Sequence, residues 1–269
     1  MTGINSLDDP YSMGILSKDI PSELARLRAL QDMLDPATWS ALDVLGVSPY
    51  GRYLELGAGA GSVAYGLAMQ HRLGHVVAAD IDPRYLNAER FENLKIQQFD
   101  ARHDTFDEDS FDLVHSRALL AHLPEREEVL RRLVSWVRPG GYAVLEDFYI
   151  LPISDRSPES LQLAFRTLTA LLEEQGCDVH WARALPALME EAGCVDIDVR
   201  LTPLLLGAAP EVNSFWHQSF RQYLPIVQAR GTHTPAEISL LSQMLKKPCP
   251  TDLCWFFVTV SGRRPGRSE

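Results

Sequence analysis

Tyr53-Leu54-Glu55-Leu56-Gly57-Ala58-Gly59-Ala60-Gly61-Ser62 is the stretch on which the rest of the chain is read. An apolar run ends at Leu56, glycines follow at alternate positions, and Ser62 opens a helical run. Strand, glycine turn and helix in that order let a ligand approach main-chain amides that side chains would otherwise cover. The free N–H groups of a helix start favour an anion such as a carboxylate. A dinucleotide turn, G-x-G-x-x-G, would put its third glycine where this chain has Ser62. Glu55, two residues before the first glycine, would repel a pyrophosphate and suits a ligand that carries positive charge.

Outward from this turn, short apolar runs alternate with helical ones. Strands are expected at Arg52–Leu56, His75–Asp80, Leu94–Phe99, Phe111–Ser116 and Tyr142–Phe148, with helices at Ser62–Gln70, Pro83–Phe91 and Arg126–Val137 between them. Such alternation predicts an α/β fold, a doubly wound and mainly parallel sheet with helices on both faces. Upstream, Leu24, Leu27, Leu30 and Leu34 keep a helical spacing; Asp35-Pro36 then reads as the cap and first position of a second helix ending at Gly46. Downstream, residues 157–193 read as helices with a break near Gln175-Gly176. Val195–Leu201 reads as a strand. Residues 210–247 read as helix interrupted at Pro225, Gly231 and Pro235, and Leu253–Val260 as a final strand.

Acidic residues recur at the strand ends. Asp80 follows the glycines by about 20 residues, the spacing at which a carboxylate meets ribose hydroxyls in nucleotide folds. Asp100 closes the third strand and could accept from an adenine amine. Asp82-Pro83 reads as the cap of the helix that follows.

Glu55-x-Gly57-x-Gly59-x-Gly61, Asp80, Asp100, Phe111-Asp112-Leu113-Val114 and Arg138-Pro139-Gly140-Gly141 resemble the successive motifs of the class I S-adenosylmethionine-dependent methyltransferases, in the family's order over residues 50–150. The small-molecule methyltransferases of bacterial metabolism, including natural-product and quinone enzymes, are the more similar subgroup. The resemblance implies a seven-stranded sheet with its last strand antiparallel and S-adenosylmethionine as cofactor. It implies that Gly57, Ala58, Gly59 and Gly61 line the methionyl part and that Glu55 suits the ligand's positive charge. Asp80 with Ile81 would take the ribose, Asp100 with Ala101 the adenine, and Ser116 would lie near the methionyl group. One departure is the long segment between the last two strands, about 50 residues where the family often has a short turn. With the N-terminal helices it is expected to form a lid. The expected organisation is a flexible arm (1–20), N-terminal helices of the lid (21–50), a cofactor-binding core (51–150), the rest of the core with the helical lid at about 203–250 (151–262), and a flexible tail (263–269).

Methyl transfer from a sulfonium asks mainly for alignment, and for some acceptors a base. His122, in Ala121-His122-Leu123-Pro124-Glu125-Arg126, sits in a context that sugar and quinone methyltransferases place at the transfer site; Asp147, at the end of the fifth strand, is the second candidate. His115 lies inside a strand pattern and reads as a satisfied, half-buried residue. Acceptor-binding candidates are Tyr11, Tyr149, Trp216, His217 and Phe220. Trp216, Phe220 and Tyr223 share a helical face, which reads as lid packing or as a wall for an apolar or aromatic acceptor. Two other readings stay open: an enzyme that keeps the cofactor site but catalyses a cyclisation, and an NAD-dependent oxidoreductase, which would want a glycine at position 62.

A formal net charge of −11 argues against a nucleic-acid partner, which calls for a basic surface, and favours a small neutral or cationic acceptor. No apolar run is long enough to span a membrane and no basic-then-apolar leader opens the chain, so the cytoplasm is expected. Cys177, Cys194, Cys249 and Cys254 match no zinc spacing, and no metal is expected.

Overall fold

A 20-residue helix, Glu23–Leu42 (α1), precedes the first strand. The computed structural model describes residues 14–246 and 249–266, so Tyr11 lies outside the described residues. Two helices broken at Asp35-Pro36 were expected here, but α1 runs through Pro36. Proline removes one ladder donor and crowds the carbonyl four residues back. Here Asp35 and Thr38, on either side of it, are tied to other side chains, and that tertiary grip outweighs the local cost.

The chain then alternates as expected. Strand Arg52–Leu56 (β1) leads to helix Ser62–Gln70 (α2), then to strands His75–Asp80 (β2), Leu94–Gln98 (β3) and Phe111–Arg117 (β4). Helix Arg126–Trp136 (α3) and strand Val137–Ile150 (β5) follow. Next come helices Glu159–Glu173 (α4) and Leu185–Glu191 (α5), strand Val195–Leu206 (β6), helices Pro210–Arg230 (α6) and Pro235–Gln243 (α7), and strand Asp252–Arg263 (β7). The seven strands form one mostly parallel sheet in the order β3-β2-β1-β4-β5-β7-β6. β1 pairs in parallel with β2 and β4, β2 with β3, and β4 with β5. β7 opposes β5: Gly140 N–H meets the Arg264 carbonyl, while Leu151 N–H meets that of Cys254 at the other end.

Some boundaries differ from the sequence reading. Pro83–Phe91 is no α-helix: Asp82 accepts from the Arg84 amide in an Asx turn, and a single turn at Ala88–Arg90 is capped by Asn87. β5 begins at Val137 rather than Tyr142, with an irregular register against β4 between Phe111 and Leu113. Pro225 lies inside α6, whereas Gly231 caps its end and Pro235 starts α7 behind a Thr234–Glu237 capping box. β7 extends to Arg263, and the Arg264 guanidinium binds the carbonyls of Ser135 and Val137 and the Asp109 carboxylate, so the chain is still anchored where a frayed tail was expected.

The chain divides into two compact units. One takes the residues up to Met33, Ile150–Val179 and Pro203–Phe256; the other takes Leu34–Tyr149, His180–Thr202 and the residues from Phe257 onward. Within the first, Trp216 stacks on Phe165, Phe220 and Trp255 at 5.1, 5.1 and 5.7 Å between ring centroids. Glu23 is fully buried there, held by Arg26 and Gln222. Within the second, α2 packs on the sheet through Val63, Ala64, Leu67 and Ala68, against Tyr53, Val76, Ala78 and Leu113. Trp39 of α1 lies so close to Gly66 of α2 that a Cβ there would meet its ring at 2.1 Å. Gly66→Val should therefore cost about 1–3 kcal/mol as an overpacking change. Trp39→Leu should recover part of that loss in the double variant, as read by denaturant unfolding. Strict additivity of the two changes would show that this contact does not set the packing.

Candidate active site

The site grows from the carboxyl end of β1, where the chain must leave the sheet and start α2 within a few residues. Gly57, Gly59 and Gly61 all have left-handed φ, at 76°, 57° and 90°. At Gly61 space adds to conformation: a Cβ would meet Tyr65 at 2.6 Å and Leu86 at 2.8 Å. The turn is pinned from β2. The amides of Gly57 and Ala58 donate to the Ala79 carbonyl at 2.8 and 3.2 Å, and the Gly59 amide donates to Asp80 Oδ2 at 2.7 Å. The other Asp80 oxygen accepts from the Asp82 amide at 2.9 Å. A carboxylate has about four lone-pair sites, so Asp80 can hold the turn and still accept from a diol. Ile81 follows it, half-buried.

Asp100 lies just past β3 and is buried. Arg102 Nε and Nη2 reach its two oxygens at 3.0 and 2.8 Å, and the Arg102 amide adds a third bond. Burial alone would raise its carboxyl, but Arg102 outweighs that and holds it below the usual value. The same loop is tied to α3 by Arg132, whose guanidinium binds the carbonyls of Ala101, Arg102 and Asp104.

Glu55 does not face an open cleft. Its carboxylate hydrogen-bonds Nδ1 of His115, its register partner on β4, and is 3% exposed. His115, expected to be half-buried, is fully buried. Its Nε2 meets Glu146 Oε2 at 3.0 Å. Glu146 also accepts from Thr38 and Thr259, each at 2.6 Å. Arg117 extends the cluster, donating to Asp35 at 2.8 Å, Thr38 at 3.0 Å and Ser62 at 3.1 Å, while Ser62 donates to Asp35 at 2.9 Å. Burial alone would strip the proton from His115; Glu55 and Glu146 reverse this and raise its pKa to about 9. Burial raises Glu55 despite His115 and Arg117. Glu146 is lowered: burial works against its charge, but His115, Arg117 and Thr259 together prevail.

The remaining residues fall in different places. Ser116 lies within β4, and its hydroxyl is committed to the Leu56 carbonyl at 3.0 Å. His122 ends a short turn, Leu120–His122, and is half-buried. Asp147 is buried, with Oδ2 accepting from the Ala121 amide at 2.9 Å and Oδ1 from its own neighbour's amide, Phe148, at 3.1 Å. It therefore braces the His122 turn from β5 instead of offering an open base. Tyr149 packs against His180 at 5.4 Å. Trp216 and Phe220 are core rings of the first unit, 1% and 4% exposed, and present no open wall. His217 Nε2 lies 3.3 Å from Cys249 Sγ. The sequence reading missed Asp35, Thr38, Arg102, Arg117, Arg132 and Thr259. The only local hint was polar residues at alternate positions of otherwise apolar strands, Glu55 on β1 and His115 with Arg117 on β4.

These residues fit S-adenosylmethionine: a turn of glycine and alanine alone, a start of α2 with no side-chain cap, and carboxylates at the ends of β2 and β3. The comparisons agree. The profile of the methyltransferase domain family matches residues 18–199. The chain belongs to the class I S-adenosylmethionine-dependent methyltransferases. Among its relatives, it is 28% identical over 169 residues to methyltransferase str2 of Strobilurus tenacellus, covering 60% of this chain and 59% of that one. It is 26% identical over 180 residues to methyltransferase GfsG of Streptomyces halstedii, covering 59% and 63%. The chain thus spans somewhat under two thirds of these relatives. Solved structures with the same fold include the Haemonchus contortus phosphoethanolamine N-methyltransferase 2 (TM-score 0.61, 14% identity, 95% of this chain and 59% of that one). Another is the [4+2]-cyclase SpnF (TM-score 0.56, 16% identity, 88% and 85%). Among the described residues no helix is long and apolar enough to cross a membrane, and no group of side chains could hold a metal ion.

The sign of the His115 shift sets a pH window. Its folded value lies above the ordinary 6.5, so its contribution to stability is complete below pH 6.5 and is lost as pH rises towards about 9. Unfolding free energy measured in denaturant should fall for the wild type across that window. His115→Gln should flatten the fall; an equally steep fall in the variant would assign it to other groups.

Proposed function

We propose that this chain transfers the methyl group of S-adenosylmethionine to an oxygen, nitrogen or carbon atom of a small-molecule acceptor, in secondary or cofactor metabolism within the cytoplasm. Asp80 carries the reading: at the end of β2 it pins the glycine turn through the Gly59 amide, and its carboxylate is assigned the ribose hydroxyls. Gly57, Ala58, Gly59 and Gly61 are assigned the methionyl part, with its carboxylate at the start of α2. Ile81 flanks the ribose, and Asp100 with Ala101 takes the adenine. Glu55 and Ser116 act at one remove, by fixing the ends of β1 and β4.

The cofactor supplies a methyl group already activated as a sulfonium, so the side chains have to orient the acceptor, exclude water and, where needed, hold a proton. His122 is assigned that proton. Asp147 positions it through the Ala121 amide. The segment at about 203–250 is assigned to acceptor choice through His217 of α6, and Tyr149 of β5 is assigned separately as an acceptor contact. The net charge of −11 favours a neutral or cationic acceptor over a nucleic acid.

Calorimetry should give micromolar affinity for S-adenosylmethionine and S-adenosylhomocysteine. Asp80→Ala should weaken both by roughly 100-fold, the scale of losing hydrogen bonds to a charged group. No binding to the wild type would remove the proposal. A second reading, a cyclase that retains the cofactor, draws on the likeness to SpnF. Incubation with methyl-labelled cofactor and candidate acceptors separates the two, since only methyl transfer moves the label into product.

A further inference from the structure

We infer that His115 is a positioning residue for the cofactor: held between Glu55 and Glu146 as a doubly protonated imidazolium, it locks the carboxyl ends of β1, β4 and β5 and with them the Gly57–Gly61 turn. This rests on the reading of that turn as the cofactor site.

The geometry favours the doubly protonated ring. Both ring nitrogens face carboxylate oxygens. An ionised carboxylate only accepts, and a neutral imidazole has one N–H and one lone pair. With both carboxylates ionised, a neutral ring would aim a lone pair at an anion in a site closed to water; a proton held on Glu55, the direction in which burial pushes it, is the alternative that a neutral ring in the NMR spectrum would reveal. Among the described residues the other cation acting on both carboxylates is Arg117, and its guanidinium makes its hydrogen bonds elsewhere. Arg117, on the same strand, is shared with Asp35 and Thr38 of α1 and Ser62 of α2. Thr38 and Thr259, from α1 and β7, supply neutral hydroxyls to Glu146. Without the His115 proton, Glu55 and Glu146 would share one buried space with no cation directly between them.

The link to the turn is short. Glu55 pairs in register with His115, and Leu56 with Ser116, whose hydroxyl also holds the Leu56 carbonyl. Gly57 comes next. On the other side, Arg117 pairs with Glu146, and the Ala118 amide donates to the Glu146 carbonyl at 2.8 Å. Ala118 has a left-handed φ of 51°, a strained setting for a residue with a Cβ. It turns the chain into Leu119, whose side chain covers Gly57. His115 thus grips both sides of the turn's footing without touching a ligand.

Binding and protonation must then be linked in both directions. In the wild-type chain, with ring-labelled histidine, NMR should show His115 protonated on both nitrogens at pH 7.5. Saturating S-adenosylhomocysteine should move its titration upward by about one pH unit, the counterpart of about tenfold tighter binding to the protonated form. His115→Gln should bind S-adenosylhomocysteine about tenfold more weakly than wild type at pH 7. That gap should close as pH rises through 9, and the ligand's own ammonium cancels in the ratio. A neutral His115 at pH 7.5, or a titration that ligand leaves unmoved, would overturn the inference even if the variant fails to fold. A wild type that binds no S-adenosylhomocysteine would instead remove the cofactor reading beneath it.

Discussion

The chain of buried charge from Glu55 through His115 to Glu146 constrains the second unit more than any other contact in it. Burying ions costs several kcal/mol each unless partners are placed well. Here those partners come from α1, β1, β4, β5 and β7, so the elements must be in register before the charges are satisfied. Apolar packing between β1, β4 and α2 would tolerate small slips; the hydrogen-bonded cluster does not. Its place beside the glycine turn means that a tightly satisfied part of the sheet is also the part assigned to the ligand.

The grip on the turn is largely main chain. Asp80 and Ala79 hold amides, and the loop after β3 is held by Arg132 through three carbonyls. Side-chain chemistry enters mainly as carboxylates that fix backbone. Asp147 follows the same rule, with one oxygen on the Ala121 amide of the His122 turn and the other on the Phe148 amide of β5. Such a frame can present different acceptor-facing groups without disturbing the cofactor end, in keeping with the variety of enzymes that share the fold.

What the sequence disclosed was what is local. Strand, glycines and helix at 52–70, Asp80 at the end of β2 and the long segment before β7 are set by patterns a few residues wide. Pro36 was misread because its cost is local while the compensation, Asp35 and Thr38 gripped by Arg117 and Glu146, comes from residues far along the chain. Pro83–Phe91 was misread because an apolar spacing resembled a helix where an Asx turn won. Glu55 was read as facing a ligand because its register with His115 is invisible until β1 and β4 are aligned. Trp216 and Phe220 were rightly placed on one helical face, but that pattern cannot separate a core from a wall.

The order of the strands also has a consequence in time. β7 lies between β5 and β6, so β6 has no neighbour in the sheet until residues 252–263 have been synthesised. Glu146 lacks its Thr259 donor until the same moment. A ribosome making this protein therefore carries an open sheet edge beside Glu146 for more than a hundred residues after Glu146 itself has been added. The strands beside the glycine turn are thus written before the β7 donor that completes their buried cluster.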